Sequence, residues 1–425
     1  MRSLTFVSVL LLVFLTVDVY VFQGVKALTS SFPPTTRKVL YILYWSLTAI
    51  VVGSFAGTFF FTFEKWNKIF RTILISVAII SFLTKFVFML FLFVDDIQRG
   101  IRWVVQKISE WFRPVPAAPE NALAPASDAI PRSEFLLKAG LVAASVPLVG
   151  MTWGIVSGAH DYRVRRQKLA LKNLPSQFNG LKIVQLSDIH SGSFYNKTAV
   201  KGGIEMALNE KPDLIFFTGD LVNNEAVEMK NYIEVFNKLK APLGVYSVLG
   251  NHDYGDYVNW SSMEAKRENL RNLMNIHKQM GWDLLMNEHR MLESGGDKLA
   301  IIGIENWGAK GHFPKYGKLD KAHQHTDEAA VKLLLSHDPS HWDAQVRKEY
   351  KDIDVMFSGH THGMQFGIET KVIKWSPVQY MYEQWAGLYK DGDQHLYVNR
   401  GYGFIGFPGR VGILPEITVI ELVKA

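Results

Sequence analysis

The stretch KDIDVMFSGHTHGMQFG, residues 351–367, decides the fold of the C-terminal half of this chain. Its first part, IDVMFSG, is a short β-rich run that ends in a polar, glycine-containing turn, as is typical of a buried strand and the loop after it. The turn carries His360 and His362, and two alternating residues can leave an extended backbone in the same direction. Alone, this turn is compatible with a metal site and equally with an ordinary polar loop.

Three earlier runs repeat the pattern of a short apolar strand followed by a polar turn. They are LKIVQLS, DLIFFTG and GVYSVLG, which begin at residues 181, 213 and 244. Helical patterns lie between the runs over 197–210, 227–240 and 262–280, and a hairpin is predicted to turn at Gly295 and Gly296. Strands that alternate with helices predict an α/β layered fold with ligands at the carboxyl ends of the strands.

Candidate metal ligands follow each of these runs. In chain order they are Asp188 and His190, then Asp220, then Asn251 with His252 and Asp253, and finally His360 and His362. His337 is a further candidate, placed after a predicted helix that starts near Thr326. Each block alone has an ordinary explanation as a turn, a helix cap or a surface polar group. Their joint occurrence, in this order and at strand ends that share one edge, favours a metal site.

The ordered set D-x-H, G-D, G-N-H-D, a separate histidine and G-H-x-H resembles the calcineurin-like metallophosphoesterase superfamily. The resemblance extends over about residues 181–418, and the segment from Tyr397 to Leu422 is similar to a membrane-associated bacterial branch that includes lipid-linked phosphoesterases. It implies a layered fold with central mixed β-sheets flanked by helices. It also implies a hydrolase that acts on a phosphate ester, with a lipid-linked or nucleotide-lipid phosphodiester as one expected substrate.

The resemblance implies a site with two divalent metal ions that clamp the phosphate, and a hydroxide that bridges them and attacks it. Asp220 would bridge both ions. The other ligands are Asp188, His190 and His362 for one ion, and Asn251, His337 and His360 for the other. Nitrogen and oxygen donors without sulfur suit manganese, iron or zinc, and the sequence leaves the choice among them open.

Further roles also come from the resemblance. His252 would be the acid that protonates the leaving group, and Asp253 would orient it and keep it protonated, with a turn-capping aspartate as the alternative. Arg410 is a candidate phosphate contact or a structural arginine. Met364, where relatives often have glycine, is expected to shape the substrate pocket. The histidines that match no block are assigned to the surface: His289, His312, His323, His325 and His341.

The first 159 residues predict an all-α membrane domain. Apolar runs over 4–22, 39–63 and 73–94 are long enough to cross a hydrocarbon core of about 30 Å, and a fourth candidate covers 135–156. An amphipathic helix over 97–111 is predicted to lie on an anionic membrane surface. The predicted organisation is a membrane domain over 1–112, a Pro/Ala-rich linker over 113–133, a transmembrane or signal-anchor helix over 134–157 and a catalytic domain over 160–425.

Two ionisable residues interrupt the first and third apolar runs. Asp18 and Lys85 lie at similar depth in spans that run in the same direction. An isolated charge in a bilayer is costly and usually faces a partner, so the two side chains are predicted to pair and to fix the packing of their helices. A transport or proton-relay role for the pair is the alternative.

Charge and composition restrict the remaining functions. The first 159 residues carry 14 lysines and arginines and 8 acidic residues, a net charge of +6 that equals the charge of the whole chain, so residues 160–425 are neutral. The catalytic half therefore has no basic excess suited to nucleic acid, and no nucleic-acid partner is expected. The chain has no cysteine, which excludes disulfides, thiolate metal ligands and a cysteine nucleophile.

The membrane topology is left open by charge, because eight basic residues would lie on each side. The segment PRSEFLLKAGLVAASVPLVG, residues 131–150, is similar to a twin-arginine export signal with Ser133 in place of the second arginine. This similarity favours a multi-pass protein of a bacterial plasma membrane, with the catalytic domain on the outer face. An ordinary fourth transmembrane helix in either orientation is the alternative.

Two other functions compete with a membrane-tethered phosphoesterase. One is a membrane sensor or transport protein whose soluble domain binds a ligand without turnover, which an incomplete set of metal ligands would favour. The other is a phosphatase or nuclease for soluble substrates that is anchored incidentally. The complete ligand set favours the enzyme, and the oligomeric state is left open.

Overall fold

The computed structural model describes residues 4–57, 66–112, 132–311 and 313–425. The chain divides into two compact units, Met1–Thr152 and Trp153–Ala425. Most of the predicted linker, the end of the second predicted span and His312 lie outside the described residues.

The first unit contains three long helices and most of a fourth, and each of the four is long and apolar enough to cross a membrane. They are α1 (Leu4–Leu28), α2 (Pro34–Gly57), α3 (Lys68–Trp111) and α4 (Glu134–Val156). The helix predicted to lie on the membrane surface over 97–111 is not a separate element, because it continues α3 without a break to a total of 44 residues. Its apolar side chains, such as Ile101 and Trp111, are exposed.

The predicted pairing of Asp18 with Lys85 is confirmed. The Lys85 Nζ lies 2.5 Å from Oδ1 of Asp18, which joins α1 to α3. Both side chains are largely buried, the Thr48 hydroxyl lies 3.4 Å from Nζ, and the ring of Tyr44 lies 4.6 Å away. A buried pair of this kind is costly to break, because removing one partner leaves the other charge alone in an apolar environment.

A second polar cluster fixes the start of α4. Nη1 of Arg132 lies 3.1 Å from the carboxylate of Asp96 and 3.5 Å from that of Asp95. The backbone N–H of Ser133 also donates to Asp95 at 3.0 Å. The residues that resemble the start of an export signal therefore have a packing role on α3.

The second unit contains fourteen strands among the described residues. They are β1 (Arg163–Leu171), β2 (Lys182–Leu186), β3 (Leu214–Thr218), β4 (Val245–Val248), β5 (Asp283–Leu284), β6 (Glu288–Ser294), β7 (Asp297–Gly303), β8 (Val331–Leu335), β9 (Val355–Ser358), β10 (Ile368–Glu369), β11 (Lys374–Trp375), β12 (Gly387–Asp391), β13 (Gln394–Val398) and β14 (Glu416–Lys424). Its helices are α5 (Lys197–Asn209), α6 (Ile233–Phe236), α7 (Met263–Met280), α8 (Leu319–His323) and α9 (Arg347–Glu349).

These strands form two six-stranded mixed sheets and a small hairpin, β10–β11. The first sheet has the order β1-β14-β2-β3-β4-β5, and β2 to β5 run parallel. The second has the order β12-β13-β9-β8-β7-β6, with β13, β9, β8 and β7 parallel. The predicted fold of mixed sheets flanked by helices is confirmed, as is the β6–β7 hairpin that turns at Gly295 and Gly296.

The alternation of side chains along the strands explains the layers. In β3, Leu214 and Phe216 enter a core that both sheets share, whereas Ile215 and Phe217 enter a second core with helices α5 to α7. In β9, Phe357 likewise faces the shared core and Met356 faces the outer one. Because such strands are buried on both faces, their sequences are apolar throughout and do not alternate between apolar and polar residues.

The helix predicted before His337 is wrong. The segment before His337 is the strand β8, not a helix that starts near Thr326. Its five residues are all buried, and the strand pairs in parallel with β7 and β9. A short apolar run has no periodicity that separates a buried strand from a buried helix, and here the sheet neighbours decide.

Candidate metal centre

The candidate ligands lie where strands of both sheets end. Asp188 and His190 follow β2, and Asp220 and Asn251 follow β3 and β4 of the same sheet. The remaining three, His337, His360 and His362, follow β8 and β9 of the second sheet. Because these strands are parallel within each sheet, their carboxyl ends deliver the side chains to one shared edge. All seven predicted ligands are thus brought together.

The first group consists of Asp188, His190 and His362. Nε2 of His362 lies 3.0 Å from Nε2 of His190 and 3.2 Å from Oδ1 of Asp188. All three side chains are buried. Three donor atoms that converge at these separations can share one cation.

The second group consists of Asp220, His337 and His360, with Asn251 beside it. Oδ1 of Asn251 lies 2.9 Å from Nδ1 of His360. Oδ2 of Asp220 lies 3.2 Å from Nε2 of His337 and 3.5 Å from Nε2 of His190 in the first group. The carboxylate of Asp220 therefore stands between the two groups, where a ligand shared by two cations would stand.

Hydrogen bonds orient the histidine rings of the second group. Nδ1 of His337 donates to the Thr218 carbonyl at 2.7 Å, which leaves the lone pair on Nε2. Nε2 of His360 lies 2.9 Å from the Tyr382 hydroxyl, and a proton there leaves Nδ1 free to bind. The amide of Asn251 donates to the Tyr257 hydroxyl at 2.8 Å, which turns Oδ1 inward. Partners of this kind fix the tautomer of a metal-binding histidine.

The electrostatics of the site fit a cation. Among the described residues, Nε2 of His337 is buried without a hydrogen-bond partner. Burial lowers the pKa of His337, but the carboxylates of Asp220 and Asp188 raise it more, to about 10. Burial lowers the pKa of His190 to about 3, so that ring is neutral and able to bind metal. The buried carboxylates thus draw positive charge into the centre, and divalent ions would supply it.

The backbone of the ligand loops is strained. Five of the seven candidates have positive φ values, between 46° and 72°, and they are Asp188, His190, Asp220, His360 and His362. Residues other than glycine rarely adopt this conformation, and it persists where the surrounding structure requires it, often at functional sites. The strain thus marks the same loops as the donor geometry.

Two glycines make room for the carboxylates. A Cβ at Gly359 would overlap the carboxylate of Asp188, and one at Gly250 would overlap that of Asp220. The backbone of each loop therefore approaches a ligand more closely than any side chain would permit.

The hydrogen bonds of Asp253 differ from the prediction. The carboxylate of Asp253 does not contact the His252 ring but accepts the backbone N–H groups of Asp220, Leu221, Val222 and Gly250 at 2.8–3.2 Å. It is the turn-capping aspartate that the sequence left as the alternative. Nδ1 of His252 instead lies 2.8 Å from the Asn223 carbonyl, which orients the half-buried ring.

Arg410 was a candidate phosphate contact or a structural arginine, and the structure gives it the structural role. It is buried, and its five N–H groups face the carbonyls of His362, Gly401, Gly403 and Ile413 at 2.6–3.4 Å. Nη2 also lies 3.1 Å from Nδ1 of His362. Because both Nη2 protons face the carbonyls of Gly401 and Gly403, that approach is a packing contact behind a candidate ligand.

The unassigned histidines differ among themselves. His325 is exposed, whereas His289 and His323 are half-buried. The surface assignment of His341 is wrong, since its ring is buried, lies 4.5 Å from that of Trp307 and pairs with the Ser336 hydroxyl at 3.0 Å. Burial lowers the pKa of His341 to about 4.

Sequence reasoning missed the groups that hold the ligands. Tyr382 lies twenty residues beyond the last block, and Thr218 and Asn223 act through backbone carbonyls. A carbonyl has no sequence signal. Tyr382 was detectable only as an aromatic residue in the long segment between β9 and β12.

Two parts of the chain match models of known protein families. Residues 1–159 match the family described as "Probable Calcineurin-like phosphoesterase, transmembrane domain", and residues 181–364 match "Calcineurin-like phosphoesterase". The uncharacterized metallophosphoesterase YkuE of Bacillus subtilis is 30% identical over 292 residues, which cover 67% of this chain and 94% of the relative.

A "Transmembrane protein with metallophosphoesterase domain" from Danio rerio is 28% identical over 294 residues. The match covers 67% of this chain but 63% of the relative, so this chain spans less than two thirds of that protein's length. Four membrane-capable helices and the match to a transmembrane family make the chain a membrane protein. From these similarities and the ligand blocks, we conclude that the chain belongs to the calcineurin-like metallophosphoesterase family.

Proposed function

We propose that this protein is a membrane-tethered hydrolase of phosphate esters that works with two divalent metal ions. The observation that supports two ions is the carboxylate of Asp220, which faces His190 of the first ligand group and His337 of the second. The oxygen that faces both groups is Oδ2, and one anionic carboxylate oxygen can be shared by two cations. Manganese, iron and zinc all suit these donors.

The metal ions, when bound, would clamp the phosphate and activate the attacking water. In this proposal His252 protonates the leaving oxygen from Nε2. Its Nδ1–H donates to the Asn223 carbonyl, which holds the ring in place and leaves Nε2 as the atom that can face the leaving oxygen. The backbone N–H of His252 also donates to Oδ1 of Asp220 at 2.9 Å, so a hydrogen bond joins the proposed acid to the proposed bridging ligand.

The proposed substrate is a lipid-linked phosphate ester, and a nucleotide-lipid phosphodiester is one such compound. The support is the attachment of the site to membrane-capable helices, which keeps it near the bilayer. A catalytic unit on the outer face of a bacterial plasma membrane is part of the proposal, and its support is the similarity of residues 131–150 to an export signal. Reporter enzymes fused to the C-terminus, one active outside and one active inside the cell, test the membrane side.

The activity is tested on the full chain in detergent with Mn²⁺. A phosphodiester reporter and a phosphomonoester reporter are compared for the native protein and Asp220→Asn. We expect hydrolysis of at least one reporter and a loss of at least about 10³-fold in Asp220→Asn, because a neutral amide replaces the negatively charged ligand that two cations would share. Asp393→Asn, an exposed carboxylate in the β12–β13 turn, is the matched control and should retain full activity.

Two results would overturn the proposal. One is the absence of hydrolysis of both reporters by a folded protein that contains metal. The other is equal hydrolysis by the native protein and Asp220→Asn, since the activity would then come from another site or a contaminant.

A further inference from the structure

An exposed apolar surface follows the last ligand loop. We name it the apolar rim, and it lies on the segment from residue 364 to residue 381. Its members are Met364, Phe366, Ile368, Val372, Ile373, Tyr380 and Met381, each more than 40% exposed. Val372 is the most exposed of them, at 93%. Clusters of exposed apolar residues of this kind mark interaction sites.

The centre of the rim is a hairpin that is rigidly held. β10 pairs with β11 through Ile368 with Trp375 and Glu369 with Lys374. The Thr370 hydroxyl closes the turn by accepting the N–H groups of Val372 and Ile373 at 3.2 and 2.9 Å. Val372 and Ile373 therefore project from a formed turn.

A buried ionic network anchors the base of the hairpin. The Glu369 carboxylate accepts two hydrogen bonds from Arg400, at 2.6 and 3.0 Å, and one from Arg165 at 2.7 Å. Arg400 is itself buried and pairs with the buried Glu416 at 2.5 Å. Bidentate pairs of this kind are strong and specific in geometry. They hold the base of the hairpin in place, and the apolar tip is therefore kept exposed.

The rim adjoins the last turn of the membrane-capable helix α4, and this turn, beyond Thr152, is part of the second unit. The backbone N–H of Arg410 donates to the Gly154 carbonyl at 3.1 Å, and the Tyr195 hydroxyl donates to that of Ile155 at 2.5 Å. Val411, the next residue, donates its N–H to the Gln365 carbonyl at 2.7 Å and accepts that of Gly367 at 2.9 Å.

Only two residues, Arg410 and Val411, thus separate the end of α4 from the stretch that carries Phe366. Glycines permit the approach, because a Cβ at Gly158 would overlap the carbonyl of Arg410. The chain leaves the membrane-capable helix beside the rim.

We propose that the apolar rim is a membrane-docking surface, and that the β10–β11 hairpin enters the headgroup region of the bilayer. Val372 and Ile373 would lie at the boundary of the acyl chains, Trp375 and Tyr380 would lie at headgroup level, and Lys371 would face anionic lipid phosphates. The rim begins two residues after the candidate ligand His362, so docking would present the metal centre to phosphate groups at the bilayer surface. That last step rests on the proposed function, whereas docking itself does not.

The absence of cysteine from the chain makes a direct test possible. Val372→Cys gives a single labelling site at the hairpin tip, and Asp393→Cys gives a matched one at the tip of the β12–β13 hairpin. The control tip precedes β13, at the opposite end of the sheet from the ligands, and its side chain is exposed. Each full-length variant is labelled with an environment-sensitive fluorophore and reconstituted into phosphatidylcholine–phosphatidylglycerol vesicles.

Quenching by a lipid-borne nitroxide is then compared with quenching by aqueous iodide. We expect lipid quenching about tenfold stronger at residue 372 than at residue 393, and the reverse for iodide. Equal iodide quenching at the two positions would overturn the proposal. Protection of residue 372 from both quenchers would also overturn it, because another protein surface, such as a second copy, would then cover the rim.

A kinetic arm separates docking from catalysis. V372D/I373D is compared with the native chain on a soluble phosphodiester reporter and on an acyl-chain phosphodiester held in the same vesicles. We expect unchanged hydrolysis of the soluble reporter and about tenfold slower hydrolysis of the vesicle-borne one. Equal loss on both would contradict docking. Inactivity of the native chain on both substrates would count against the proposed function and leave the quenching result standing.

Discussion

His252 and Asp253 are neighbours in the chain but have different tasks at the site. His252 is half-buried, and its ring is held by a backbone carbonyl. We predict that His252→Ala lowers turnover by about 10²–10⁴-fold, the usual contribution of a general acid, and leaves metal content and thermal stability unchanged. Steady-state kinetics, metal analysis and thermal unfolding measure these effects. Loss of both metal ions in this variant would contradict the acid role.

Asp253 gives the opposite expectation. Its carboxylate accepts four backbone N–H groups in the loops that carry Asp220 and Asn251. Asp253→Ala leaves these buried donors unpaired, at about 1–3 kcal/mol for each that finds no substitute. We predict lower stability and loss of bound metal. A stable variant that keeps its metal and loses only turnover would return Asp253 to a catalytic partnership with His252.

Met364 carries backbone strain that the metal ligands do not need. Its φ of 55° and ψ of 13° are left-handed, and its side chain is exposed. We predict that Met364→Gly raises the free energy of unfolding by about 0.5–1 kcal/mol, because glycine adopts this conformation freely. Met381→Gly is the matched control, since Met381 is exposed at a φ of −107° and glycine should destabilise it. Equal destabilisation by both changes, in chemical denaturation, would show that φ is not the cause.

The positions of the strands explain which residues of the site could be predicted from the sequence. Each ligand block lies directly after a strand, so a short apolar run and its polar turn were enough to predict which residues meet. The strand β8 was not predicted, because its five buried residues have no periodicity that distinguishes a strand from a helix. Its ligand, His337, was predicted from its place in the order of blocks. The roles of Tyr382 and of the Asn223 carbonyl were not predicted, because they depend on tertiary contacts with His360 and His252.

The pairing of α1 with α3 depends on one buried charge pair, Asp18 with Lys85. We predict that Lys85→Leu alone destabilises the membrane unit by about 3–5 kcal/mol, because it leaves Asp18 unpaired in apolar surroundings. Adding Asp18→Asn should recover most of the loss. Stability is measured on the full chain in micelles by denaturant titration.

A second pair in the same unit provides the control. Lys138 and Glu134 lie 2.6 Å apart on α4, but both side chains are largely exposed. Lys138→Leu and Glu134→Gln should change stability by less than about 1 kcal/mol, with little coupling. Additive losses from Asp18 and Lys85 would mean that the two residues act independently and that their contact does not fix the packing.

For the molecule as a whole, the candidate metal centre draws its ligands from both sheets of the second unit. Asp188, Asp220 and Asn251 come from one sheet, and His337, His360 and His362 come from the other. Cations held by both sets would cross-link the sheets, and their removal would leave the buried carboxylates facing one another. The helices of the first unit contribute none of these ligands, so metal loss should weaken one unit and spare the other.

We therefore predict that a chelator speeds amide hydrogen exchange in β3 and β9 by about 100-fold, the effect of losing a ligand present at 100 times its dissociation constant. Exchange in α1 and α3 should not change. Mass spectrometry of peptides from the full chain in micelles measures both, and Asp220→Asn should exchange at the fast rate with or without chelator. Equal acceleration in both units would indicate global destabilisation by the chelator. No acceleration in β3 or β9 would mean that the ligand groups do not hold cations that stabilise the fold.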